Sequence, residues 1–309
     1  MINEITIFCP ATVANVACGF DVLGFCLDAI GDTMIIRKTK VKGLKIIHVE
    51  GFNLSCSLYE NVAGVSALAI YEHAKPNCGF EIEIYKHIKP GSGIGSSAAS
   101  AMGSVFGINV LLGHLYNKIE LTNFAMKGEA LASKSDHADN LAPIIYGGFT
   151  LVRNTSPLDI LQIPIPKDLY VTIIHPQIEV KTSDARNILP DTISLKDAIT
   201  QWGNLGSFIH ALHTSDYKLM QRSLNDVIIE PHRKQYIPYF DKVKSAVLES
   251  GALGCAISGS GPSIFALSKG KTAAKKVEKT MQSVYYNTEV SYDTFVSTIS
   301  SKGIHIINL

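Results

Sequence analysis

The feature of this sequence best suited to chemistry is a run of glycines and serines between a predicted strand and a predicted helix. It reads Lys89-Pro90-Gly91-Ser92-Gly93-Ile94-Gly95-Ser96-Ser97-Ala98-Ala99. Residues 80–87 alternate apolar with polar side chains, which predicts a strand, and the apolar spacing over residues 96–112 predicts a helix. Glycine lets backbone N–H groups approach a ligand, and a helix N-terminus favours negative charge. The loop is therefore predicted to cradle phosphate, with Ser96 and Ser97 offering hydroxyls to phosphate oxygens or a metal.

The loop alone leaves alternatives open. No Gly-Lys-Ser/Thr follows it, so it is not a Walker A motif. The spacing of Gly91, Gly93 and Gly95 also lacks the second spacer residue of the dinucleotide-binding fingerprint. An ordinary glycine-rich turn with a serine cap would fit the same residues considered in isolation.

Hydrophobic periodicity predicts a mixture of strands and helices around this loop. Further helices are predicted over residues 61–73, 121–133, 195–214, 216–227 and 237–250. Further strands are predicted over residues 6–8, 33–38, 44–49, 169–175, 252–257 and 263–268. This mixture favours a layered α/β or α+β fold.

Two further motifs, near the two ends of the chain, give the loop a family context. The first reads Pro10-Ala11-Thr12-Val13-Ala14-Asn15-Val16-Ala17-Cys18-Gly19-Phe20-Asp21-Val22-Leu23-Gly24, and the other reads Ser258-Gly259-Ser260-Gly261-Pro262-Ser263. With the loop between them, they resemble the three motifs of the GHMP kinase superfamily in type and order. The resemblance extends from residue 10 to residue 263, which is nearly the whole chain.

The resemblance implies an α+β fold with two domains. It predicts a GHMP kinase ATP-binding domain over residues 1–165, with an unusual left-handed βαβ unit, and a ferredoxin-like GHMP kinase domain over residues 166–309. A proline-rich passage with Pro157, Pro164 and Pro166 suits the junction, although it would also suit a surface loop. The resemblance further implies a homodimer.

ATP and Mg²⁺ are the cofactors that the resemblance implies. The loop from Lys89 to Ala99 would bind the nucleotide, and Asn61 and Val62 match a family position near the adenine. A Mg²⁺ ion between phosphates needs hard oxygen ligands, and Glu129 and Ser97 match the metal-binding residues of the superfamily. Without the resemblance, Glu129 would be interpreted as a solvated helix residue.

The segment Ser135-Asp136-His137-Ala138-Asp139-Asn140-Leu141-Ala142-Pro143 bears on the mechanism. Related kinases carry a proposed aspartate base at the position that aligns with Asn140, and an amide cannot accept a proton at neutral pH. The resemblance thus predicts catalysis by orientation of the acceptor hydroxyl and by transition-state stabilisation, without a dedicated base. Asp139 remains an alternative base, and a polar loop with a helix cap remains the alternative for the whole segment.

The acceptor that the resemblance implies is L-homoserine, converted to O-phospho-L-homoserine in threonine biosynthesis. Arginine binds a carboxylate through a planar fork, so Arg186 and Arg233 would hold the amino acid's carboxylate and Asp21 its ammonium group. The expected substrate-binding residues are Asn15, Asp21, His137, Asn140, Thr182, Arg186, Arg233 and Gly259. Considered alone, either arginine could be a surface residue in an ion pair worth about 0–1 kcal/mol.

The third motif is expected to bring backbone amides against the phosphate loop, although a tight hairpin without a ligand is an alternative. Two competing functions also stay open. One is a sister kinase of the mevalonate type or one that acts on a sugar. The other is a non-catalytic sensor of nucleotide or amino acid.

Composition excludes several classes of protein. The 309 residues carry a formal net charge of +1 and are 46% hydrophobic, which predicts a globular chain without a broad nucleic-acid or membrane-binding surface. The six cysteines form no C-x-x-C pair, so buried thiols in a reducing cytoplasm are expected. Neither a signal peptide nor an apolar run long enough to cross a membrane is evident.

Overall fold

The computed structural model describes residues 2–133 and 137–308, which form two β-sheets with helices packed against them. The strands are β1 (Glu4–Ala14), β2 (Leu23–Thr39), β3 (Gly43–Glu50), β4 (Gly79–Tyr85), β5 (Phe149–Thr155), β6 (Leu158–Ile163), β7 (Leu169–Pro176), β8 (Gly254–Ile257), β9 (Ile264–Lys269), β10 (Tyr292–Thr298) and β11 (His305–Asn308). The helices are α1 (Val62–Ala74), α2 (Ser96–Leu111), α3 (Lys118–Ser133), α4 (Leu141–Tyr146), α5 (Thr182–Asn187), α6 (Leu195–Thr214), α7 (Tyr217–Ser223), α8 (Glu230–Arg233), α9 (Phe240–Glu249) and α10 (Lys271–Tyr285).

The first sheet has the order β11-β1-β2-β4-β3, and β5 pairs with both β2 and β6. The long strand β2 pairs with β1, β4 and β5, so it links the whole sheet. Strands β3 and β4 are parallel neighbours, and α1 connects them. This unit corresponds to the predicted βαβ unit. Its left-handed crossing stays a prediction.

The second sheet has the order β10-β7-β9-β8 with antiparallel neighbours. Helices α5 to α9 follow β7, and α10 joins β9 to β10. This is the split βαβ arrangement of a ferredoxin-like fold. The predicted α+β class and the ferredoxin-like topology are confirmed.

Helix α2 follows the phosphate loop directly and packs against the first sheet. Nearly all its residues are buried between α1, α3 and β1. Its small residues allow this: a Cβ on Gly103 would lie 2.3 Å from Met34 Sδ, and one on Gly107 would lie 2.2 Å from Ile36 Cδ1. A helix buried on all sides holds its N-terminus in one place.

Some sequence predictions of elements were wrong. The helix predicted over residues 216–227 ends at Ser223, because the Asp226 carboxylate accepts hydrogen bonds from the backbone N–H groups of residues 228, 229 and 230. Pro157, in the proline-rich passage expected at a domain junction or a surface loop, lies in the turn of the β5–β6 hairpin.

The division at residues 165 and 166 stays a prediction. Strand β11, near the end of the chain, returns to pair with β1 in the first sheet. Within residues 2–133 and 137–308, none of the helices has the length and apolar character needed to cross a membrane.

Candidate active site

An open cavity lies where the three motifs meet. Its walls are formed by Ala14, Asn15, Asp21, Gly91, Gly93, Gly95, Ser96, Ser97, Glu129, His137, Asp139, Asn140, Thr182, Arg186, Arg233, Gly259 and Ser260. Every residue predicted to bind the acceptor or the metal is in this set. Residues more than 200 positions apart in the sequence therefore share one cavity.

Several residues predicted to bind the nucleotide lie outside the cavity wall. They are Lys89, Pro90, Ser92, Ile94, Ala98, Ala99, Asn61 and Val62. The Asn61 side chain caps α1 by accepting from Ala63 N at 3.0 Å, and it donates to Ser55 O at 2.8 Å. Lys89 Nζ donates to Gln177 Oε1 at 2.7 Å. Ser135 and Asp136, at the start of the segment expected to bear on the mechanism, lie outside the described residues.

The phosphate loop has a left-handed backbone at every second residue. The φ angles are 72° at Gly91, 79° at Gly93 and 72° at Gly95, values that side chains rarely tolerate. A Cβ on Gly93 would also come within 2.5 Å of Gly261 O. The loop therefore requires glycine for its conformation and for close contact with the third motif.

A buried ion pair between Lys86 and Asp32 fixes both ends of this loop. Lys86 Nζ contacts the Asp32 carboxylate and also donates to Ser96 O at 2.9 Å. The other oxygen of Asp32 accepts from the backbone N–H groups of His87 and Ile88 at 2.8 and 2.9 Å. Sequence reasoning missed this pair, because its members are 54 residues apart and belong to no motif.

The third motif packs directly on the loop. Ser258 Oγ donates to Gly93 O at 2.8 Å, and Ser263 N donates to Ser92 O at 3.3 Å. The expectation that this motif would lie against the phosphate loop matches these contacts. Gly259 then lines the cavity beside the loop.

Glu129 supplies a buried carboxylate next to the N-terminus of α2. It is 4% exposed, and burial raises its pKa, while a hydrogen bond from Ser97 and the nearby His137 act in the opposite direction. A buried carboxylate beside a hydroxyl is a donor set that suits a hard cation. Among the described residues, no three His, Cys, Asp or Glu side chains cluster to hold a metal.

One side of the cavity is dominated by charged side chains. Arg186 forms a two-pronged ion pair with Asp21 at 2.9 and 2.8 Å. Arg233 is 3% exposed and donates to Ala185 O and Gly259 O at 2.9 and 3.0 Å. Burial, together with the charge of Arg186, lowers the pKa of Arg233 to about 10.

Phe20, which sequence reasoning overlooked, organises the two arginines. Its ring centroid lies 5.5 Å from the guanidinium carbon of Arg186 and 4.9 Å from that of Arg233. A ring face attracts cations, so it offsets part of the repulsion between two like charges. The aromatic residue just before Asp21 in the first motif was the available signal.

The turn that carries Asn15 and Asp21 has an unusual backbone. Asn15, Val16, Ala17 and Asp21 have φ angles of 70°, 42°, 59° and 59°. Asn15 Nδ2 donates to Gly259 O at 2.8 Å, and Asn15 Oδ1 accepts from Asp21 N at 3.0 Å. Such strained conformations are held by surrounding contacts and concentrate at functional sites. Here they bring the first motif to the third.

Asn140 and Asp139 lie on the remaining wall. Asn140 Oδ1 accepts a hydrogen bond from the hydroxyl of Thr12 at 2.6 Å. Asp139 is 2% exposed, and burial raises its pKa, while His137 at 3.8 Å acts in the opposite direction. The cavity thus joins the glycine loop, a candidate cation site and a wall that carries charges of both signs.

Such a combination defines a small-molecule kinase of the GHMP type, and comparison with protein families agrees. The model for the GHMP kinase N-terminal domain matches residues 61–148. The model for the GHMP kinase C-terminal domain matches residues 208–287.

Relatives that align over nearly the whole chain identify the family within this superfamily. The homoserine kinase of Chlorobium phaeobacteroides strain BS1 is 44% identical over 319 aligned positions, which cover 99% of this chain and 100% of the relative. The homoserine kinase of Chlorobium phaeovibrioides is 43% identical, with 97% and 98% covered. The crystal structure of homoserine kinase from Cytophaga hutchinsonii has a TM-score of 0.95 and 48% identity, with 99% and 98% covered. The chain belongs to the homoserine kinase family.

Proposed function

We propose that this protein transfers the γ-phosphoryl group of ATP to the hydroxyl of L-homoserine and so forms O-phospho-L-homoserine for threonine biosynthesis. The observation that carries the proposal is the charged wall of Asp21, Arg186 and Arg233 facing the glycine loop across one cavity. A free amino acid needs an acid for its ammonium group and a guanidinium for its carboxylate. This wall offers both beside a phosphate cradle.

ATP would bind with its phosphates against the backbone N–H groups of the glycine loop and the N-terminus of α2. The burial of α2 and the Lys86–Asp32 pair hold these groups in position before the ligand arrives. Glu129 and Ser97 would hold Mg²⁺, which neutralises charge on the phosphates when bound. Asn61 and Val62, at the start of α1, remain candidates for the adenine side.

The acceptor would bind by exchanging partners with the Asp21–Arg186 pair. The ammonium group of the acceptor would bind the Asp21 carboxylate, and its carboxylate would bind the guanidinium groups of Arg186 and Arg233. The buried Nε of Arg186 supports this, because it has no hydrogen-bond partner within the part of the chain that is described. A buried donor without a partner is costly, so a ligand oxygen there is favoured.

Transfer forms a bond between the acceptor oxygen and the γ-phosphorus and breaks the bond from that phosphorus to the β–γ bridging oxygen. The hydroxyl proton leaves to a phosphate oxygen or to solvent. We assign no side-chain base, because Asn140 cannot take a proton at neutral pH. The side chains instead position the hydroxyl and stabilise the charge of the transition state. Asp139 is the competing candidate for a base.

The proposal also covers the division into domains, the oligomeric state and the cellular location. We infer an ATP-binding unit over residues 1–165 and a second unit over residues 166–309, a homodimer, and a cytoplasmic location. Balanced charge, +1 over the whole chain, and the six cysteines, none of them in a disulfide, are consistent with that location.

A panel of acceptors tests the function. ADP release would be measured with MgATP and L-homoserine, L-serine, L-threonine, mevalonate or galactose, with the Glu129→Ala variant as the inactive control. We expect turnover with L-homoserine to exceed turnover with every other acceptor. Turnover with mevalonate or galactose but not with L-homoserine would refute the proposal, and ATP binding without turnover would favour a sensor.

A further inference from the structure

We propose that Thr12 is a positioning residue for Asn140, and that it makes Asn140 an N–H donor toward the reacting oxygens. The inference rests on the proposed function and deepens it, because it assigns the orientation of the residue that replaces a base. Thr12 lies in β1, within the first motif, and does not line the cavity. It acts on the site only through Asn140.

The contact between the two residues is short and buried. Thr12 Oγ1 donates to Asn140 Oδ1 at 2.6 Å, and Thr12 is 0% exposed. Asn140 stands at the N-cap position of α4, where asparagine commonly caps a helix, yet its side chain makes no capping hydrogen bond. The carboxamide is therefore used for this contact across 128 residues of sequence.

The contact decides which atom of Asn140 is left for the cavity. A carboxamide is planar, with an oxygen that accepts and a nitrogen that donates on opposite corners. Thr12 hydrogen-bonds the oxygen of Asn140, a residue that lines the cavity, and this leaves Nδ2 to donate to a ligand there. An N–H group there attracts the oxygen of the acceptor hydroxyl, whereas a carbonyl oxygen would repel phosphate oxygens.

The hydroxyl of Thr12 is itself fixed by the phosphate loop. Thr12 N donates to Ile94 O at 3.1 Å. A Cβ on Gly95 would lie 1.9 Å from Thr12 Oγ1, so the glycine packs directly against that hydroxyl. A β-branched side chain has few χ1 positions. Thr12 therefore links the loop that would bind ATP to the residue that would orient the acceptor.

A double-mutant cycle tests the proposal. Thr12→Val keeps the shape and removes the hydroxyl, whereas Thr12→Ser keeps the hydroxyl, and each is made in the native chain and with Asn140→Ala. We expect Thr12→Val to lower kcat by about tenfold or more, with the KM for ATP changed by less than about twofold. Thr12→Ser should retain kcat within about threefold, and Thr12→Val should change kcat by less than about twofold in the Asn140→Ala background.

Two kinetic outcomes would overturn the inference. One is an unchanged kcat in Thr12→Val. The other is an equal loss in both backgrounds, since Thr12 would then act through packing of the loop. If the native protein has no turnover with any acceptor, the proposed function fails instead. A crystal structure of Thr12→Val then decides the inference alone: we expect a reoriented Asn140 carboxamide, and an unchanged one contradicts it.

Discussion

Arg186 and Asp21 face each other through two parallel hydrogen bonds, Nη1 to Oδ2 at 2.9 Å and Nη2 to Oδ1 at 2.8 Å. Each residue is about one-third exposed, at 29% and 31% of its side chain. The pair is thus accessible to a ligand that carries both charges. Without a ligand, each partner neutralises the other.

Arg186→Lys keeps the positive charge but removes the planar fork. We expect the KM for the acceptor to rise by roughly tenfold or more, because a charged hydrogen bond contributes about 1.5–3 kcal/mol. The KM for ATP should stay nearly constant. Steady-state kinetics with Arg153→Lys, at the exposed Arg153–Asp159 pair, provides the matched control. An unchanged acceptor KM would remove Arg186 from the substrate site.

Asp139→Asn distinguishes positioning from general-base catalysis. If no side chain acts as a base, kcat should fall by less than about a hundredfold, since general-base catalysis typically contributes about 10²–10⁴. The pH dependence of kcat should also keep its shape. Kinetics between pH 6 and pH 9, with circular dichroism to verify folding, would measure both. A larger loss in a folded variant would make Asp139 the base.

The loops and motifs of the site were predictable from sequence, whereas the side-chain contacts that hold them in position were not. Gly91, Gly93 and Gly95 lie in a short local pattern, and the residues of the three motifs do converge on one cavity. Lys86 and Asp32 meet only through the pairing of β2 with β4. No local pattern records a contact of that kind.

The contacts between side chains within the site were also not predictable from sequence. In the sequence, Thr12 looks like any threonine of a strand. Its proposed role depends on Asn140, which lies 128 positions away. Phe20 has the residue type of a core aromatic. The β5–β6 hairpin and the strands β10 and β11 also escaped prediction, because each is short or half-exposed and lacks a clear apolar alternation.

Lys86→Met should destabilise the protein strongly. Lys86 and Asp32 are 1% and 0% exposed, so the variant leaves a buried carboxylate without its cation. We expect a loss of about 3–5 kcal/mol in the free energy of unfolding, measured by urea denaturation. Lys275→Met breaks the exposed pair with Glu278 and should cost less than about 1 kcal/mol. Equal effects in the two variants would refute the structural role of the buried pair.

His175 should make stability depend on pH. It is 3% exposed, its Nδ1 lies 3.1 Å from Ser263 Oγ, and burial lowers its pKa from 6.5 to about 4. Between these values the unfolded chain binds a proton that the folded chain does not, so this contribution to stability is lost as pH falls below 6.5.

Comparison of His175→Gln with the native protein measures that contribution. Lowering the pH from 7.5 to 5.5 should cost the native protein about 1 kcal/mol more than the variant. His210→Gln, at an exposed position of α6, should behave like the native protein. Parallel pH profiles of unfolding free energy for His175→Gln and the native chain would contradict the assignment.

The proposed transfer can be followed at the phosphorus atoms themselves. ³¹P NMR of the protein with MgATP and L-homoserine should show ADP and a phosphomonoester appearing in equal amounts, with the phosphomonoester identical to O-phospho-L-homoserine. Glu129→Ala should abolish most of both signals. Inorganic phosphate in place of the phosphomonoester, or a phosphomonoester formed from mevalonate or galactose but not from L-homoserine, would contradict the account.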